Sequence, residues 1–398
     1  MTSSTDDTGF AEKRLLAACA RTKMAPDSLA TLRELAARRL DWDLVVSAAA
    51  ENSVIPLLAR HCSAHAADLV PAETLEKLKG AARANTLRCL TLTGELLRVL
   101  EEFARRGIPS APYKGPVLAA RIYADVAMRE YEDLDFVLRH KDVEAADRAM
   151  KTLGYSPRYP WLPAQSSSAW MVPGEYNYRD PSRGIMVELH TELTMRHFPV
   201  RLDLDRLFSR LVSVNVSGHE VKTFCAEDLL PILCIHGAKD YWERIAWVAD
   251  IAELAQNNSS LDWNTVFRSA ARWKADRMLH VGLALATELL DAQLPPSAAQ
   301  RIETDRASVL IAKNFAARLL DRDRVPLDGK SIFQFRRKMG GGGFAGRKYA
   351  WRLALAPAED DWKMAKLPAG LTPLYVALRP LRLLKKYGWA ARSGRSAS

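Results

Sequence analysis

Asp133-Leu134-Asp135-Phe136-Val137-Leu138 constrains this chain more than any other stretch. An apolar run with charged residues two apart reads as a β-strand, because alternate side chains of a strand share a face. Asp133 and Asp135 then project side by side, while Leu134 and Phe136 turn toward a core. Neighbouring carboxylates repel, so both stay ionised only beside a cation. A hard, oxygen-preferring ion such as Mg2+ suits them. An edge strand with its acids facing water is the purely structural alternative.

The flanking sequence adds to the first reading. Gly107 to Tyr113 can form a short strand, and Lys114-Gly115 follows. Pro116 to Tyr123 is helix-like, with proline at a favoured first position. A glycine at the mouth of a helix lets a phosphate approach backbone N–H groups at the positive end of the dipole. Lys114 adds a charge there. Downstream, Ile185 to His190 alternates like another strand and offers a third carboxylate, Glu188. His140 to Leu153 reads as the helix that returns the chain after the acidic strand. Tyr155 to Tyr159, Glu175 to Arg179 and Val221 to Phe224 read as further strands. A mixed α/β core over residues 108–225 is the result, with Gln165 to Ser168 as a loop able to close over a substrate.

Helical periodicity fills both sides of that core. In residues 1–107, helices are expected over Phe10 to Ala25, after an Asp27-Ser28 cap, from Asp41 to His61, and from Pro71 to Arg106. In residues 226–324, Glu227 to Ala238 is apolar all round and reads as buried. His236 and Lys239 lie one turn apart at its end and could form a second wall of a cleft. Asp250 and Glu253 read as helix-packing or surface residues. Residues 325–398 form a basic connector and tail. Gly340 to Gly343 is no Walker loop, since no Gly-Lys-Ser/Thr follows. Leu374 to Arg395 is a basic amphipathic end. It could touch an anionic membrane surface weakly, or pack its Leu381 and Leu384 face on the protein up to Tyr387.

Charge narrows the partners less than it first suggests. The chain of 398 residues carries a net charge of +10, which suits phosphorylated substrates, nucleic acid or anionic lipid. No basic run is interleaved with stacking aromatics, so a charged, solvated surface explains it equally well. Five scattered cysteines without a CxxC pair indicate core thiols in a reducing compartment rather than a disulfide framework or zinc site. No secretory leader is recognisable at the polar start, and no apolar stretch is long enough to span a bilayer, so a cytoplasmic location is expected.

The order of these motifs resembles the nucleotidyltransferase superfamily that includes DNA polymerase β and the aminoglycoside nucleotidyltransferases. The closer resemblance is to the bacterial family of so-called uncharacterised nucleotidyltransferases. It rests on Lys114-Gly115, Leu118-Ala119, Tyr123, Arg129, Asp133, Asp135, Leu153-Gly154-Tyr155 and Glu188-Leu189-His190. It continues through Glu227-Asp228-Leu229-Leu230, His236-Gly237-Ala238-Lys239 and Trp247 to Ile251, and ends in Asp361-Trp362 and Leu378 to Arg382. The chain departs from the wider superfamily in two places. Lys114-Gly115-Pro116 stands where Gly-Gly or Gly-Ser is usual, and Glu188 stands where Asp is more common.

The resemblance implies an α+β fold, a small mixed-sheet nucleotidyltransferase core flanked by N-terminal and C-terminal helical regions. It implies Mg2+ (or Mn2+) held by Asp133, Asp135 and Glu188, and transfer of a nucleoside monophosphate from an NTP to an acceptor hydroxyl. Lys114, Gly115, Lys239 and His236 would meet the nucleotide. Arg129 would either neutralise the departing pyrophosphate or pair with carboxylates as structure. The acceptor could be a sugar, another small molecule, a protein or a nucleic-acid end. The alternatives are a catalytically weak binding module linked to polysaccharide or envelope biosynthesis, and a nucleic-acid modifier. Crowded like charges cost stability when no ligand is bound. Asp135→Ala is therefore expected to abolish transfer while the ligand-free melting temperature stays unchanged or rises.

Overall fold

The structure is a computed structural model. It describes residues 8–158, 174–194, 200–321, 324–325, 327–339, 355, 361, 371 and 374–388. The chain opens with α1 (Thr8–Cys19), α2 (Pro26–Ala36), α3 (Trp42–Glu51), α4 (Ile55–His65) and α5 (Ala72–Arg105). The single helix expected from Asp41 to His61 is two. It breaks at Ser53, whose φ is 55°, and restarts with Pro56 in the first turn of α4, where a missing N–H costs nothing. Asp41 caps α3 by accepting from the Leu44 N–H at 3.0 Å. Asp27 lies inside the first turn of α2 instead of capping it, because Pro26 already starts the helix. The first helix ends at Cys19, earlier than expected.

Five strands form one mixed sheet in the order β1-β2-β5-β4-β3. They are β1 (Ser110–Pro112), β2 (Asp133–Leu138), β3 (Ser156–Pro157), β4 (Glu175–Arg179) and β5 (Met186–His190). β2 runs parallel to β5, and the other pairs are antiparallel. α6 (Gly115–Tyr123) links β1 to β2, and α7 (Val143–Thr152) follows β2. The strand expected over Tyr155 to Tyr159 shrinks to Ser156–Pro157. Tyr159 and the Gln165 to Ser168 loop lie outside the described residues. The expected last strand is β7 (His219–Thr223), and it does not join the sheet. It pairs with β6 (Val212–Val216) around Ser217 and Gly218, both at positive φ as a tight hairpin turn demands. The Thr223 hydroxyl donates to the Pro112 carbonyl at 2.7 Å and ties the hairpin to β1.

The two faces of the sheet meet different cores. Leu134, Phe136, Leu138, Val187 and Leu189 pack with Phe103 of α5 and Ala146 and Met150 of α7. Val137, on the acidic face, belongs to a larger core shared with the N-terminal and C-terminal helices, from Ala11 to Met339. After α8 (Leu204–Ser209) and the hairpin come α9 (Ala226–Lys239), α10 (Ile245–Gln256), α11 (Trp263–Trp273) and α12 (Asp276–Leu290). They are followed by α13 (Pro296–Thr304), α14 (Arg306–Leu320), α15 (Gly329–Met339) and α16 (Leu374–Gly388). The glycine-rich run Gly340 to Gly343 lies outside the described residues.

Helix α10 ties the layers together through two buried acids. Asp250 accepts from Arg129 Nε and Nη2, each at 2.9 Å, and from the Tyr123 hydroxyl at 2.9 Å. Glu253 accepts from Arg21 Nε at 2.7 Å and from the N–H and hydroxyl of Thr22. In the tail, Leu381 does not pack: it is 64% exposed. Buried Asp361 draws in Arg379 (3.0 Å) and Arg382, and Tyr375 is the buried aromatic of that helix. Two of the arginines offered for a membrane surface are thus committed inside the protein. Among the described residues, no helix is long and apolar enough to cross a membrane.

Removing one member of a buried ion pair strands the other charge. Asp250→Asn should lower unfolding stability by about 3–5 kcal/mol, read from the urea midpoint. Arg129→Met with Asp250→Leu should cost clearly less than that single change. If the single change is as mild as the double, the pair does not hold the layers.

Candidate functional site

The register of β2 on β5 builds the site. Asp135 pairs with Glu188 and Val137 with His190, so Asp133, Asp135, Glu188 and His190 share one face. His190 Nε2 lies 3.0 Å from Asp135 Oδ1 and 3.5 Å from Glu188 Oε2. Lys114 Nζ donates to the same Asp135 oxygen at 3.1 Å and sits 5.0 Å from the centre of the Tyr113 ring. Tyr113 meets His190 edge-on. Lys114 is held at this height by Gly115, whose φ is +55°. A Cβ there would stand 3.4 Å from the Asp133 carbonyl, an ordinary contact, so it is the left-handed backbone rather than lack of space that favours glycine.

Electrostatics divide the carboxylates into two kinds. Burial alone would push Asp135 up, but Lys114 and the hydrogen bond from His190 outweigh it and hold the acid well below the usual range. The partners respond in turn. Burial opposes a charge on His190, yet Asp135 and Glu188 raise it to about 9. Lys114 is likewise held above an ordinary lysine, burial being overcome by Asp135, Tyr113 and Asp133. Asp133 is the opposite case. Burial first, and then the charges on Asp135 and Glu188, push it up to about 7. Asp133 makes no hydrogen bond or ion pair with a described residue, and the closest cation to Glu188 is His190.

The C-terminal end of α9 lies within electrostatic reach of Lys114 and Asp135. His236 Nδ1 lies 3.2 Å from Asp240, and its ring meets Trp247 edge-on. Burial, followed by the charges on Lys114 and Lys239, holds its pKa well below the usual histidine value. His236 is therefore a neutral imidazole near the Lys114–Asp135 pair. Lys239 reaches Asp240 only at 3.9 Å. The turn that fixes both residues uses Tyr241 and Trp242 at positive φ. The Trp242 indole lies so tightly on Gly237 that a Cβ there would come within 2.2 Å of Nε1.

The eight residues singled out from sequence therefore fall into groups. Asp133, Asp135, Glu188, Lys114 and Gly115 meet at one place, while His236 feels the charges of Lys114 and Asp135 and Lys239 pairs only with Asp240. Arg129 is turned to Asp250, which takes the Nε–Nη2 edge of its guanidinium. Of the two roles read for it, the structural one has its geometry here, with Asp250 in place of the strand acids. The compact set of ligand atoms, within 4.8 Å of one another, is Asp135, Glu188 and His190. Asp133 stands beside that set rather than in it. His190 carried a readable signal, since it lies two residues beyond Glu188 on the same strand face.

The donor set fits a hard divalent cation. Three carboxylates come from adjacent strands, and burial together with the charges on Asp135 and Glu188 raises Asp133 despite the opposing charges of Lys114 and Arg129. While Lys114 and His190 both donate to Asp135, His190 is a proton donor and not a ligand. Oxygen from Asp133, Asp135 and Glu188 would then hold the ion.

A model for a family described as uncharacterised nucleotidyltransferase matches residues 38–291. The match starts just before α3 and ends just after α12, so it takes in the whole sheet, the acidic face and α9. No curated protein and no solved structure matches the chain.

The two aspartates should respond oppositely to neutralisation in EDTA. The expectation that losing Asp135 is harmless is revised, because its removal strands Lys114 and His190. Asp135→Asn should cost about 3–5 kcal/mol. That contribution exists above the unfolded carboxylate pKa and is lost as pH falls through the depressed folded one. Asp133 has a raised folded pKa, so its ionisation opposes folding increasingly from about pH 4 to 7. Asp133→Asn should be neutral near pH 4 and stabilising at pH 8. Urea midpoints at both pH values check this, and equal effects of the two substitutions would refute the division.

Proposed function

The chain belongs to the uncharacterised nucleotidyltransferase family, and from that premise we propose that it moves a nucleoside monophosphate from Mg2+-NTP to an acceptor hydroxyl. The observation that carries the reading is one sheet face with Asp133, Asp135 and Glu188 on it and Lys114 beside them. When bound by these carboxylates, Mg2+, or Mn2+ in its place, supplies the positive charge that holds a triphosphate and offsets charge on the entering and leaving oxygens.

The remaining chemistry is assigned to the chain's own groups. The acceptor oxygen forms a bond to the α-phosphorus, the bond from that phosphorus to the bridging oxygen breaks, and pyrophosphate leaves with the bonding pair. Glu188, half-buried and without a tight cation, receives the acceptor proton. Lys114 stands where a cation already neutralises Asp135, so on nucleotide binding it exchanges that carboxylate for phosphate oxygen. Lys239, whose pair with Asp240 is loose at 3.9 Å, is assigned to the outer phosphates. Neutral His236 adds an uncharged polar group that limits water without repelling a cation. Arg129 acts through position alone, by holding Asp250 and the α10 layer.

The internal Lys114–Asp135 pair also favours the other reading, a binding module with weak catalysis, because it satisfies Asp135 without any ligand. Labelled NTPs offered to a cell extract with Mg2+ separate the two. Wild type should transfer label, and Mg2+-NTP should raise its melting temperature. Glu188→Gln should keep the ligand-free melting temperature and lose about 100-fold or more in turnover. A nucleotide-dependent shift without transfer to any fraction would favour the binding module. Turnover of Glu188→Gln near the wild-type rate would remove Glu188 from the reaction.

A further inference from the structure

Away from the acidic face, α8 and α11 enclose a cavity of ≈ 300 Å³ lined by Arg206, Arg210, Thr265, Arg268, Ser269 and Arg272. Four arginines border one small, half-open space. Arg206 and Arg210 are four apart in sequence, and so are Arg268 and Arg272. Each pair therefore stacks like charge along one side of the cavity, an arrangement that is unfavourable on its own.

The walls are anchored from behind. Buried Asp228, in the first turn of α9, accepts from Arg210 Nη1 at 3.0 Å and from the Ser269 hydroxyl at 2.9 Å on the same oxygen. One carboxylate thus fixes a residue from each wall. The Arg201 N–H donates to the Trp273 carbonyl at 3.2 Å and pins the segment before α8 to the end of α11. At the other end, Asp262 lies 3.7 Å from Arg268, whose Nη2 also donates to the Thr265 hydroxyl at 2.8 Å. Arg206 and Arg272 have no such counterpart: neither side chain has a hydrogen-bond or ion-pair partner among the described residues.

Two of the four charges are matched by acids, and two are left facing one cavity. We infer that this cavity is a binding site for a small phosphomonoester, whose dianion supplies the two missing negative charges. Planar guanidinium groups fit phosphate oxygens two at a time, and the hydroxyl lining adds neutral hydrogen bonds. The volume is at the small end for ligand pockets. It suits one phosphoryl group with a compact body better than an extended polyanion. The site is distinct from the acidic face. Asp228 and His236 are eight residues apart on α9, a rise of about 12 Å. The inference does not rest on the transfer reaction.

The test uses the full chain in EDTA at fixed ionic strength, with ribose 5-phosphate and inorganic phosphate as probes and ribose as the neutral control. Both phosphates should raise the melting temperature of the wild type, and ribose should not. Arg206→Gln with Arg272→Gln should weaken ribose 5-phosphate binding by about tenfold or more in calorimetry. Its ligand-free melting temperature should be unchanged or higher, since like charges are removed. If that variant folds poorly, Arg206→Lys with Arg272→Lys keeps the charge and should still lose affinity, because the fork is gone. Glu188→Gln should bind the probe like wild type. No binding by the wild type overturns the inference, as does equal affinity in the arginine variant. Loss of binding in Glu188→Gln would move the ligand to the acidic face. Tighter, arginine-dependent binding of a single-stranded RNA oligonucleotide than of the monoester would replace the pocket with an extended polyanion surface.

Discussion

Everything in this protein's candidate chemistry depends on the pairing of β2 with β5 at Asp135 and Glu188. Strand side chains alternate, so a slip of one residue would send Glu188 and His190 to the opposite face. The slip is resisted by Val187 and Leu189, which pack with Leu134 and Phe136 in the core beneath the sheet. The same apolar contacts that stabilise the sheet therefore aim its acids. Because this pair is parallel, a crossover must separate the two strands in sequence. That crossover is long, and it contains α7, β3 and β4.

Buried charge is handled by close pairing almost throughout. Asp250 has Arg129, Glu253 has Arg21, Asp228 has Arg210, and Asp361 has Arg379. Glu95 on α5 accepts from Arg98, Arg183 and the Tyr155 hydroxyl, and so joins α5 to the sheet. Each pair is costly to break from one side, which makes these contacts selectors of one arrangement. Against that background two places stand out. Among the described residues Asp133 has no ion-pair partner, and Glu188 has only His190, at 3.5 Å. Arg206 and Arg272 carry positive charge without an anion among the described residues. They lie toward opposite ends of α9, and both are places where a ligand can complete what the chain leaves open.

Helix α9 links these places physically. Its first turn anchors the arginine cavity through Asp228, and its last turn carries His236 and Lys239, with His236 within electrostatic reach of Lys114 and Asp135. Its middle is buried on all sides, with Gly282 of α12 lying so near Cys234 that a Cβ would come within 2.6 Å of the sulfur. A helix packed this tightly moves as a rigid body or not at all.

The sequence by itself determined the local pieces. Alternation put Asp133 and Asp135 on one face, Pro116 started α6, and the leucine spacing from Pro71 to Arg106 made one long helix. The motif order was enough to indicate the family and the α+β class. Those features are readable because they depend on neighbours a few residues away. Tertiary structure decided which charges meet. Nothing local marks Asp250, 121 residues from Arg129, as that residue's partner, or Lys114 as the cation on Asp135. Nor could local pattern show that β7 leaves the sheet for a hairpin with β6, because Thr223 and Pro112 meet only in the folded chain. His190 lay between these cases. Its face followed from alternation, but its role as a proton donor to Asp135, 55 residues away, depends on burial and on the register of two strands, which only the assembled sheet defines.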